Sequence, residues 1–126
     1  MTRLRIALTW GTFLLWAVAV WLVSARSDPR SDFHWTWEIP DKVEHGIEYA
    51  VGGFLGHAAF SSLSMRASPV LAALVTCAAW GAVDEINLGF VPGRMTDPWD
   101  LVADVIGVAA GIAVHTLWVR SARRSR

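Results

Sequence analysis

Asp41, Lys42, Glu44, His45, Glu48 and Tyr49 fall within nine residues of one another; Asp84 and Glu85 are adjacent; Arg94, Asp97, Asp100 and Asp104 follow. Carboxylates grouped with one imidazole can do three kinds of chemistry. They can ligate a hard divalent ion, exchange protons as general acids and bases, or receive a cationic group from a ligand. The eight acids of this set stand against only Lys42 and Arg94. Two cations cannot neutralise eight carboxylates, so some acids are protonated through burial and mutual repulsion, or face water, or hold a cation. An oxygen-rich set suits Mg²⁺ or Ca²⁺, with Asp84, Glu85, Asp100, Asp104 and His45 as candidate ligands, and one His is a thin basis for zinc. Arg94 follows the Pro92-Gly93 turn, where its guanidinium fork can pair with Asp84 or Glu85, or reach a lipid phosphate.

Helix ends explain part of this pattern. Asp41 with Glu44 reads as an N-cap and its capping-box partner, and Asp97-Pro98-Trp99-Asp100 as N-cap, Pro at the first helical position and an acid in the first turn. Capping does not reach His45, Glu48, Tyr49 or Asp104. Nor does it cover Asp84 and Glu85, which close a helix at the end where the macrodipole disfavours negative charge.

The elements that carry these residues are long and apolar. The chain is 126 residues, 54% hydrophobic and 17% charged, with eight Trp and a formal net charge of zero. That composition argues against disorder and a nucleic-acid tail, and the clustering of the charges argues against a soluble globule. No ionisable side chain interrupts residues 6–25, a length matching the roughly 20 residues a helix needs to cross a bilayer. Three further apolar stretches cover about 42–63, 69–88 and 99–119, bounded by Pro40, the Ser61–Ser64 cluster with Pro69, and Pro92-Gly93 with Pro98. Backbone groups in lipid must be bonded within their own segment, which makes these helices. The expectation is a single all-α membrane domain spanning residues 1–126, four transmembrane helices in an up-down bundle.

Up-down threading brings the start of the second helix, the end of the third and the start of the fourth to one membrane surface. Residues 41, 45 and 49 share a helix face, as do 100 and 104. His45 and Asp104 then lie about 6 Å deeper than the Asp that opens each helix. Ionisable groups inside spanning segments are costly and default to a functional role. Arg3, Arg5, Arg66, Arg120, Arg123, Arg124 and Arg126 share one side of such a bundle, against Arg26, Arg30, Lys42 and Arg94 on the other. The positive-inside rule therefore places both termini in the cytoplasm. Trp35, Trp37 and Trp99 fall near the outer interface and Trp10 and Trp118 near the inner one, while Trp16 and Trp80 can equally serve as packing. Residues 1–25 also resemble a cleavable signal peptide, although the run exceeds the usual h-region and carries three Trp.

Other residues carry weaker signals. His57 and His115, in apolar stretches, read as packing histidines, and His34 as a solvated loop residue. Gly52, Gly53 and Gly56, with Gly107 and Gly111 at GxxxG spacing, allow close helix approach within the chain in preference to dimerisation. Cys77 is the only cysteine, so there is no intramolecular disulfide or Cys-rich zinc motif. No GxSxG, P-loop, HExxH or Rossmann pattern is present.

Three blocks together resemble the VanZ-like family of small bacterial membrane proteins: Asp41-Lys42-Val43-Glu44-His45 with Tyr49 and Gly53; Asp84-Glu85 followed by Phe90-Val91-Pro92-Gly93-Arg94; and Asp100 with Gly107 and Gly111. The chain has Asn87 and Leu88 where the family has His and Gln, Asp104 where it has Asn, and Gly52 where it has Leu. The resemblance implies a multi-pass protein of the bacterial cytoplasmic membrane. The family's founding member is associated with resistance to the glycopeptide teicoplanin. It further implies that Asp41, Lys42, His45, Tyr49, Asp84, Glu85, Arg94 and Asp100 belong to a shared polar core, to which the spacing adds Glu48 and Asp104. The function expected is recognition, in an outward-facing pocket, of a lipid headgroup, a lipid-linked cell-wall precursor or a lipophilic glycopeptide. The alternatives are a metal-assisted interfacial hydrolase or transferase acting on a lipid-linked phosphate, and an assembly partner that binds no ligand.

Overall fold

The computed structural model describes residues 2–25, 40–93 and 95–125. Among them every regular element is helical: α1 (Arg3–Ser24), α2 (Asp41–Ser61), α3 (Pro69–Leu88) and α4 (Pro98–Arg124). The expectations for His34, Trp35, Trp37, Arg26, Arg30, Arg94 and Arg126 lie outside the described residues.

The helices α1, α3 and α4 are long and apolar enough to cross a membrane. Their outward side chains, among them Leu15, Leu22, Leu71, Val75, Ile106 and Leu117, are more than half exposed, a surface that water would not tolerate but lipid would. The fourth span expected from the sequence is not equally clear. With 21 residues α2 is about 32 Å long, enough to cross, but Asp41, Lys42, Glu44, His45 and Glu48 crowd its first two turns and lower its hydropathy.

Local signals account for most boundaries. Ser68 caps α3 by accepting the Leu71 N–H, with Pro69 at the first helical position. Asp97 caps α4 by accepting the Trp99 N–H at 2.9 Å, with Pro98 next, as its sequence suggests. The start of α2 differs from expectation. Pro40 is the N-cap and Asp41 the first helical residue, so Asp41 and Glu44 are first-turn acids facing the positive end of the dipole and not a capping box. α1 begins three residues earlier than its apolar run, and α4 continues through Arg120 to Arg124, whose basic last turn complements the dipole.

The core is organised around α2. On one side Phe13, Trp16 and Val20 of α1 pack onto it; the Trp16 indole lies edge-on to Tyr49 and donates to the Glu48 carbonyl at 3.0 Å. On the other side α2 and α4 meet backbone to backbone. A Cβ on Gly107 would stand 2.2 Å from the Gly46 carbonyl oxygen, one on Gly111 1.9 Å from that of Ala50, and one on Gly53 2.2 Å from that of Val108. No side chain fits there, which is what the close-approach glycines of membrane helix pairs provide. Gly107 and Gly111 are thus used within the chain, against α2.

Candidate functional site

The threading places the end of α1, the start of α2, the end of α3 and the start of α4 together, and the acids collect there. At the rim, the Lys42 ammonium donates to both Asp97 and Asp100 and stands 3.8 Å from Asp41. The bond from Lys42, with the Trp99 backbone N–H, holds the Asp97 carboxyl below its ordinary range. Glu85, at the last turn of α3, accepts the Asp97 backbone N–H. That bond ties α3 to the α4 cap, and a backbone donor thereby faces a carboxylate at an unfavourable helix end.

One turn deeper lies the pair that the i, i+4 spacing implied. His45 donates from Nδ1 to the Asp104 carboxylate at 2.9 Å, and its Nε2 is 3.8 Å from Asp100 Oδ2. Asp100 and Asp104 are 5% and 2% exposed. A carboxylate on Nδ1 fixes the ring's tautomer and orientation, leaving Nε2 as the atom that faces Asp100. Asp41, His45 and Asp100 each offer a ligating atom, all within 4.8 Å of one another.

Beside this pair, the buried Tyr49 hydroxyl has no hydrogen-bond partner among the described residues. Its ring and an Asp104 oxygen both border Gly81, whose Cβ would stand 3.0 Å from Asp104 Oδ2 and 3.2 Å from Tyr49 Cε1. Glu48 is half-buried on the same helix, with its carbonyl taken by Trp16. Asp84 is buried and accepts a 2.7 Å hydrogen bond from the Ser24 hydroxyl of α1.

Lys42, His45, Asp97, Asp100 and Asp104 therefore form one connected group, with Asp41 at its mouth. Of the candidate metal ligands, His45 and Asp100 converge with Asp41, Asp104 holds the other face of the imidazole, and Asp84 and Glu85 are engaged with Ser24 and the Asp97 N–H. Two participants were missed. Ser24 carried no signal, since a lone Ser at the end of an apolar run is unremarkable; Asp41 as a ligating group was hidden behind its apparent capping role.

Comparison with protein-family models, with curated proteins and with solved structures gives no match. The site must be read from its own chemistry. Among the described residues the acids of this end outnumber its bases, an arrangement that attracts positive charge. An imidazole buttressed by one carboxylate and facing two others can move a proton or hold a metal ion.

Proposed function

We propose that the chain is a four-span protein of the bacterial cytoplasmic membrane, both termini cytoplasmic, whose outward acidic pocket recognises an ammonium-bearing amphiphile. The class comprises amine-containing lipid headgroups, lipid-linked cell-wall precursors and lipophilic glycopeptides. One observation carries this reading: the only described Lys or Arg side chain at the acidic end, Lys42, is already bonded to Asp97 and Asp100. Asp100 and Asp104, 5% and 2% exposed, bring two buried carboxylates together beside His45 at that end. The resemblance of the Asp41-to-His45, Asp84-Glu85 and Asp100 blocks to VanZ-like proteins agrees with it. For α2 to be the fourth span, its charged first turns must sit in the headgroup region, where ionisable groups cost less than at the bilayer centre.

The test is binding by the full chain in nanodiscs, with phosphatidylethanolamine, its N-acetylated derivative and teicoplanin as probes. Binding of an amine-bearing probe that weakens in Asp100→Asn and Asp104→Asn supports the proposal. Equal binding of the N-acetylated lipid rejects it.

A second reading rests on the convergence of Asp41, His45 and Asp100: a divalent ion held there, acting on a lipid-linked phosphate as a Lewis acid. Heat stability that rises with millimolar Mn²⁺ or Mg²⁺, and loses that response in Asp100→Asn, would favour it. Indifference to both ions would remove it.

A further inference from the structure

The only lysine of the chain, Lys42, sits at the rim of the acidic group. Its ammonium donates to Asp97 and Asp100 and stands 3.8 Å from Asp41. Three carboxylates around a group with three N–H donors make a seat suited to a primary ammonium. Two helix starts build it: Asp41 and Lys42 open α2, and Asp97 and Asp100 open α4. The Lys42 side chain is 42% exposed and that of Asp100 7%. The lysine therefore covers a largely buried carboxylate while remaining within reach of the outside.

Two properties make this occupant exchangeable. Lysine carries its charge on a flexible four-carbon stem. Pairing by a partly exposed group is also weakened by solvent and by the entropy of holding the stem in one place. An independent observation shows that the interior behind it is incomplete. On the same face of α2, one turn beyond His45, Tyr49 is 1% exposed and its hydroxyl has no hydrogen-bond partner among the described residues. Its ring borders the same point beside Gly81 as an Asp104 oxygen. A buried hydroxyl left unsatisfied is costly, so the site retains a polar group that the described side chains do not serve.

Exchange is favoured when every charge is paired again afterwards. A ligand with a primary ammonium and a phosphate joined by a short link meets that condition. Its ammonium takes the place of Lys42 between Asp97 and Asp100, and its phosphate receives the displaced Lys42 ammonium. Both amines stay protonated, and only hydrogen bonds and ion pairs change hands. Resting on the ammonium-recognition reading above, we infer that Lys42 is a tethered occupant of the ligand's own seat, displaced by zwitterionic amphiphiles of the ethanolamine-phosphate kind. A quaternary ammonium has no N–H to donate and does not displace it. A plain alkylamine brings no anion for Lys42 and displaces it less well.

The test uses the full chain in phosphatidylcholine bilayers, labelled with ¹⁵N-lysine and ¹³C-aspartate. With a single lysine, one Nζ signal reports the seat, and solid-state NMR reads its dipolar coupling to aspartate carboxyl carbons. Adding phosphatidylethanolamine should abolish most of that coupling, whereas adding more phosphatidylcholine should leave it intact. In a parallel binding assay, Lys42→Met should tighten dodecylamine by about two- to fivefold, the weight of a partly exposed ion pair acting as internal competitor. The same variant should not tighten phosphatidylethanolamine, which loses its phosphate partner. The labelled chain is unaltered, so poor folding of the variant would not blunt the first measurement. Phosphatidylethanolamine that binds while the coupling persists would overturn the inference and leave the ammonium reading standing. Absence of binding would overturn both. Equal tightening of the two ligands in Lys42→Met would overturn the exchange.

Discussion

Replacing Gly111 by Ala adds one methyl group at the tightest point of the bundle, and its cost can be worked from the backbone. The new Cβ would lie 1.9 Å from the Ala50 carbonyl oxygen and 2.8 Å from both Ala50 C and Phe54 N. An ordinary contact begins at 3.4 Å, so α2 and α4 must part locally by about 1.5 Å. Every obstructing atom is main chain, so no rotamer change can absorb the methyl. Overpacking of this kind costs about 1–3 kcal/mol, occasionally more, and the upper end applies here because separating the helices also stretches the His45–Asp104 and His57–His115 bonds, each 2.9 Å long. Against it stands the better helix propensity of Ala, about 1 kcal/mol, leaving a net loss of about 2 kcal/mol. Gly11→Ala is the control: its Cβ meets nothing within 4 Å, so the propensity gain stands alone. Equilibrium unfolding in mixed micelles with increasing sodium dodecyl sulfate would compare the two. Gly111→Ala at or above wild-type stability, with Gly11→Ala unchanged or stabilised, would mean that α2 and α4 do not pack through these glycines.

Two other outcomes follow from the rim. Lys42→Met leaves Asp100, 5% exposed, without its cation. Lys42 is itself partly exposed, so solvent screens part of the pairing; a measurable loss of stability is still expected because a buried carboxylate is left behind, and Lys42→Met/Asp100→Asn should recover most of it. A double variant no better than the single would show that the pair does not stabilise the fold. Because Lys42 depresses the Asp97 pKa, the stabilisation from that carboxylate is complete above its unfolded value near 3.9 and is lost as pH falls through the lower folded value. Asp97→Asn should flatten the acid limb of thermal stability below about pH 4 while leaving neutral stability only modestly changed. An unaltered acid limb would contradict the assignment.

The sequence reveals whatever is written in one helix at a time. The α3 boundaries and the Asp97-Pro98 start of α4 follow from turn residues, and the structure agrees with both; helical spacing puts His45 and Asp104 one turn along from Asp41 and Asp100, and their side chains meet. Interactions between helices leave fainter traces. His57 and His115 are 58 positions apart, and nothing in either apolar stretch marks the other as its partner. Ser24 and Asp84 are as far removed in sequence, and a serine next to a run of aliphatics gives no hint of a buried carboxylate. The apparent capping box at Asp41 failed because Pro40 already supplies the extended φ/ψ that precedes a helix, making Asp41 helical. The doubtful span is α2, where the residues that build the site are the same ones that dilute the membrane signal.

The main-chain contact between α2 and α4 also sets unequal freedom to vary. Gly53, Gly107 and Gly111 face carbonyl groups that cannot yield, so drift there is closed to every residue with a Cβ. Leu4, Leu8, Leu15, Ile106 and Leu117 present open hydrocarbon surfaces and can exchange freely among aliphatics. A lineage of such chains would keep a nearly fixed spine of small residues beneath an ever-changing greasy exterior, so kinship would survive in spacing long after overall identity had decayed.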